Sequence, residues 1–93
     1  MMSLMDADVF RQHSGVSYRQ LDTWTKAGHL KTSGEKQPGS GTPRSWDAGE
    51  AVVARSMLKL TKAGVALGVA ADVARQGEGE FKLGDGVLLR FTP

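Results

Sequence analysis

Apolar positions recur at helical spacing in four stretches and alternate in a fifth. Asp6 is a competent N-cap for a helix over residues 7–13 with Val9 and Phe10 as its apolar positions. Ser14-Gly15 breaks that pattern. Ser17 then caps a second helix whose Leu21, Trp24 and Ala27 fall along one side, and Gly28 closes it as a C′ glycine. Asp47 caps a third helix over residues 48–62, with Glu50 at N3 in a capping-box-like arrangement and Lys59 and Lys62 in the last turn. Its apolar stripe reads Val53, Met57 and Leu60, more loosely Val52 and Leu58, against Arg55, Lys59 and Lys62 on the other side. Gly64 stops it, and residues 67–75 form a fourth, weaker helix rich in Ala and Val. The tail changes period. Residues 80–83 alternate polar and apolar, Gly84-Asp85-Gly86 is a turn signal, and residues 87–91 resume as strand, predicting a C-terminal β-hairpin. An isolated hairpin is marginal in water, so this one packs on the helices, adds to a neighbouring strand pair, or pairs with a second chain.

Between the second and third helices, residues 31–44 read KTSGEKQPGSGTPR, without one apolar side chain. Such a segment is not core. Leu30 and Trp46 anchor its two ends, which favours an extended wing over a free linker. The expected fold is therefore mainly α: a winged helix-turn-helix of about four short helices and a wing over residues 1–76, followed by a hairpin tail over residues 77–93. Two short helices joined by a glycine-containing turn leave the second free to enter a DNA major groove.

Composition narrows the chemistry. The chain has 93 residues, 40% hydrophobic and 24% charged, which fits one small soluble domain. There is no cysteine and only His13 and His29, so neither thiolate metal sites nor a disulfide framework is expected, and no cofactor. The longest apolar stretch is far short of the roughly 20 residues of a membrane span. With no export signal read at its start, the chain is expected in the cytoplasm, away from membranes. Net charge is only +2, but its distribution is uneven. Six Lys or Arg stand against Asp22 and Glu35 in residues 11–44, whereas cations and acids balance from residue 47 onward. This asymmetry fits either a polyanion-facing surface or ordinary solvated charge.

Ser17, Tyr18, Arg19 and Gln20 occupy the first turn of the proposed recognition helix, where they could reach bases or phosphates. Arg19 is the best base-contact candidate because guanidinium bonds both acceptors on a guanine edge; a phosphate contact is the alternative. Lys26, Lys31, Lys36 and Arg44 would hold phosphates or probe the minor groove from the helix end and the wing. Trp24 lies on the apolar side and reads as core. An enzymatic reading has little support: no Gly-x-Ser-x-Gly, Walker A or His-Glu-x-x-His spacing is present, and Gly39-Ser40-Gly41 lacks the Lys-Ser/Thr of a phosphate loop.

Several ordered runs, namely residues 15–24 (GVSYRQLDTW), 28–30 (GHL), 39–46 (GSGTPRSW) and 64–67 (GVAL), resemble the MerR-type winged helix-turn-helix domain, most closely its actinobacterial members. The resemblance covers roughly residues 6–75. It implies a second helix in the major groove, a glycine-rich first wing, and Arg44 supporting phosphate binding beside the aromatic position filled by Trp46. Many members have arginine where this chain has Asp22, and typical members continue into a long dimerisation helix and an effector domain that do not fit after Arg75. No small-molecule effector is therefore expected. The shortened form looks like small MerR-like regulators and excisionase-type proteins of bacteria, phages and mobile elements. The resulting expectation is a sequence-specific double-stranded DNA-binding protein, a small transcriptional regulator acting as a homodimer or cooperative array. The rivals are a DNA-bending excision factor and a phage-encoded module that binds and inhibits a host protein.

Overall fold

A computed structural model of the chain describes residues 4–33 and 44–93. The order is β1 (Leu4–Met5), α1 (Ala7–Ser14), α2 (Tyr18–Lys26), β2 (Trp46–Asp47), α3 (Ala48–Lys62), α4 (Leu67–Gln76), β3 (Gly79–Gly84) and β4 (Val87–Phe91). Among the described residues the fold is mainly α, with four helices and two small antiparallel strand pairs. Most of the expected wing, including Lys36, lies outside the described residues.

The helix ends follow from their capping residues. Asp6 accepts the Val9 N–H at 2.9 Å and starts α1. Gly15, at φ +84°, ends it, a left-handed conformation that a β-carbon would strain. A reciprocal capping box opens α2: Ser17 Oγ accepts from the Gln20 N–H at 3.0 Å, and Gln20 Oε1 accepts from the Ser17 N–H at 2.9 Å. Its exit is a Schellman motif, with the His29 N–H on the Trp24 carbonyl (2.9 Å) and the Gly28 N–H on that of Thr25 (3.1 Å). At α3 the box is only half formed. Asp47 accepts from the Glu50 N–H at 2.9 Å, but the Glu50 carboxylate turns inward instead of reaching back to the cap.

Helix α3 is the spine. Its buried line is Ala51, Ala54, Met57 and Leu60, joined by Glu50 and Ser56. This corrects the stripe expected from side-chain size: Val52 is exposed, and Val53 and Leu58 are half-buried. The alanines prevail because α1 and α4 pack closely against α3, and a small side chain at the contact permits that approach. Val9 is likewise exposed, leaving Phe10 as the anchor of α1. Phe10 and Trp46 meet at 5.3 Å between ring centroids, and Leu21, Trp24, Leu30 and Met57 complete the main cluster. Strand β2 pairs with β1 through Leu4–Asp47 and Met5–Trp46, which fixes Trp46 over the core. Arg55 reaches across from α3 to the His13 carbonyl at the end of α1 (3.1 and 2.5 Å).

The hairpin docks on the helices. Its register pairs Gly79 with Phe91, Phe81 with Leu89 and Lys82 with Leu88, followed by an irregularity before Gly84. Phe91 is buried against Leu60, Ala70 and Val73, with Val65, Phe81 and Leu89 packed around them. Toward the turn this support ends, and Leu83, Val87 and Leu88 are exposed. Among the described residues, no helix is long and apolar enough to cross a membrane.

Candidate nucleic-acid interface

Leu21 and Trp24 bury one side of α2. At 100° per residue the opposite side carries Arg19, Asp22, Thr23 and Lys26. Arg19, Thr23 and Lys26 are exposed and Asp22 is half-exposed. The sequence thus places a row of polar side chains on the outer face because the apolar pair, four residues before the Schellman turn, commits the inner one.

Asp22 organises the end of this row. Its carboxylate holds Lys26 one helical turn away at 3.0 Å and Arg44 Nη2 at 2.9 Å. The hydrogen bonds from Lys26 and then Arg44 hold its carboxyl below the ordinary aspartate range. Arg44 also lies 5.5 Å over the Trp46 ring, so the residue entering β2 is tied both to the core aromatic and to α2. Ser33 and Ser45 close the base of the intervening segment: the Ser33 N–H donates to the Ser45 carbonyl at 2.7 Å, and the Ser45 hydroxyl donates to the Ser33 carbonyl at 3.0 Å. Beside this base lies an open groove of about 750 Å³, lined by Thr25, Lys26, Leu30, Lys31, Thr32 and Arg44. Three cations thus share one depression, with Asp22 balancing part of the charge of Lys26 and Arg44.

The other end of α2 is built differently. Tyr18 is 52% exposed, but its phenol donates to the Asp8 carboxylate, and the Arg11 guanidinium stacks 3.8 Å from its ring centre. The phenolic proton is therefore engaged with α1. The capping box uses the Ser17 oxygen and the Gln20 side-chain carbonyl, leaving the hydroxyl proton and the amide NH₂ for an outside acceptor. Among the described residues no acid pairs with Arg19.

The expected site residues therefore fall into two groups on one helix and its flank. Ser17, Tyr18, Arg19 and Gln20 stand at the start of α2; Lys26, Lys31 and Arg44 surround the groove at its end. Lys36 lies outside the described residues. Sequence reasoning missed Thr23, whose position i+4 from Arg19 would have revealed it. It also missed Asp22 as an anchor, although the Asp22–Lys26 spacing was readable. Arg11 and Asp8 around Tyr18, and the buried Glu50 beneath Lys31, had no local signal. Among the described residues, no group of three or more His, Cys, Asp or Glu could hold a metal ion.

No protein-family model matches the chain, and no curated protein matches it.

Proposed function

We propose that the chain is a small MerR-like winged helix-turn-helix protein that binds double-stranded DNA sequence-specifically and regulates transcription. The observation that carries this reading is the outer face of α2, where exposed Arg19 and Lys26 lie on one line and Arg44 flanks them from the base of the glycine-rich segment. In this reading α2 enters the major groove and Arg19 reads a base edge. Lys26, Lys31 and Arg44 neutralise backbone phosphates beside it, supplying much of the affinity through counterion release.

One such face touches few bases, so two copies acting together are part of the proposal. The exposed Leu83, Val87 and Leu88 support it by offering an apolar contact. Three side chains fall short of the roughly 800 Å² per partner of a stable interface. Pairing is thus expected on adjacent DNA sites, where the effective concentration is high, rather than free in solution.

Selection of bound duplexes from a random pool, followed by titration of the chosen site at several salt concentrations, tests the reading. Binding is expected to weaken steeply with salt. Arg19→Ala is expected to lower affinity for the selected site about 5- to 150-fold while barely changing affinity for unrelated duplex, as loss of a bidentate base contact would. Salt-insensitive binding, or none, would refute the proposal; an equal loss on all duplexes would reassign Arg19 to a phosphate.

A further inference from the structure

Glu50 and Arg75 form a pair that neither the helix caps nor the outer face of α2 employs. Glu50, in the first turn of α3, is only 5% exposed. Its Oε1 accepts a hydrogen bond from Arg75 Nη2 at 2.9 Å, and its Oε2 lies 2.7 Å from Nη1 as an ion contact. The pair does not stop there. Oε1 also accepts the backbone N–H of Lys31 at 3.0 Å, and Arg75 Nη2 donates to the His29 carbonyl at 2.9 Å. One ion pair shared between α3 and α4 thus grips both sides of Leu30, in the turn that leaves α2 and carries Lys31 to the groove. Only the Glu50 side of the pair is buried, the Arg75 side chain being 37% exposed; desolvating the carboxylate offsets part of the attraction, and solvent screens the guanidinium, so the pair is a modest device for stability alone. What an apolar pair could not do is hydrogen-bond the backbone at residues 29 and 31.

We infer that Glu50 and Arg75 are positioning residues of the cationic groove: they set Lys31 against Lys26 and Arg44 so that the three cations present one phosphate site. This deepens the DNA-binding reading and rests on it. Lys31 supplies the charge, and the pair supplies its location.

The test replaces the pair by apolar residues, Glu50→Leu with Arg75→Met, so that no buried charge is left uncompensated and the helices keep their packing; circular dichroism and thermal melting verify the fold. With the selected duplex, the folded double variant is expected to bind about tenfold more weakly at low salt, with a salt slope shallower by about one, as for loss of one phosphate contact. Lys31→Ala alone is expected to give the same slope, and Lys31→Ala added to the double variant to change nothing further. A wild-type slope in the double variant, or a full additional loss from Lys31→Ala, would overturn the inference. If the double variant fails to fold, Arg75→Lys serves in its place, because it keeps the charge but, shorter and with one nitrogen in place of two, cannot meet both Glu50 oxygens and the His29 carbonyl together. Inorganic phosphate, followed through the amide signals of Lys31 and Thr32, reads the groove without DNA. A wild-type response lost in the variant supports the inference; a response kept in the variant, or none in the wild type, defeats it. A wild type that responds to phosphate but binds no duplex would remove the DNA reading and leave the positioning role standing.

Discussion

The two apolar clusters of this small fold are unequal. Around Trp46 gather Phe10, Leu21, Trp24, Leu30 and Met57, drawn from α1, α2, α3 and both anchors of the glycine-rich segment. Where the hairpin docks, its own Phe91 meets Leu60, Ala70 and Val73, with Phe81, Leu89 and Val65 partly covered. The turn end of the hairpin has no cover: Leu83, Val87 and Leu88 are 43%, 52% and 67% exposed. Regions with few buried apolar contacts open at lower free energy than the core they dock on. Every candidate contact for DNA among the described residues sits on an element anchored in the larger cluster or on the segment next to it. The less anchored hairpin is the part proposed to meet a second copy.

Truncating the centre of each cluster is the strongest way to break this contrast. Trp46→Ala removes a side chain 1% exposed and is expected to cost about 3–5 kcal/mol, a large share of the stability of so small a domain. Urea titration should show all helical signal lost earlier, and duplex binding lost with it. Phe91→Ala deletes a comparable ring at the smaller cluster, but its damage should stay local. Hydrogen exchange is expected to lose protection over residues 79–91 while the amides of α1 to α3 remain protected. Should Phe91→Ala lower protection uniformly, the two clusters are one cooperative unit and the contrast fails.

A smaller effect comes from the cap of α2. Ser17→Ala removes the acceptor for the Gln20 N–H and should cost about 1 kcal/mol. Because the cap also directs the start of the helix bearing Arg19, duplex affinity should fall along with the melting temperature, whereas Leu88→Lys on the hairpin should leave both unchanged for a single site. Leu88→Lys should instead weaken binding to paired sites, measured as loss of cooperativity between adjacent duplex positions.

Local chemistry made most of the architecture legible in the sequence. Asp6, Ser17 and Asp47 each cap the helix they precede; Gly28 and Gly64 each end one; and the hairpin strands lie within a residue of where alternation puts them. What stayed hidden depended on partners distant in the chain. The first half of α3's buried line is Ala51 and Ala54, because neighbouring helices approach there, a fact about packing rather than hydrophobic size. Glu50 has the right spacing for a capping box, yet Lys31 and Arg75, 19 and 25 residues away, claim its carboxylate. In the candidate site, the exposed face of α2 followed directly from Leu21 and Trp24. The attachment of Arg44 to Asp22 did not, because their separation of 22 residues spans the glycine-rich segment.

The finest discrimination between the two regions comes from one charge change made in each. Asp22→Asn and Glu80→Gln each remove a single negative charge, one at a half-exposed position and one at an exposed position. At Asp22 the change releases Lys26 and Arg44 and takes away a repulsion beside the proposed phosphate path, so duplex binding at pH 7 should tighten and its salt dependence steepen. Acid offers the same switch without mutation. Lys26 and then Arg44 hold the folded-state carboxyl below the ordinary aspartate value near 3.8. Its contribution to stability is therefore complete above that value and disappears as pH falls through the lower, folded-state value. Melting curves of wild type and Asp22→Asn should accordingly be parallel from pH 5 to 8 and converge only below about pH 4, with a small gap because the pair is solvent-screened. At Glu80, opposite Arg90 on the hairpin, the identical change should leave both single-site affinity and salt slope where they were. Equal gains from the two substitutions would mean that net charge alone, and not the outer face of α2, governs attraction to DNA.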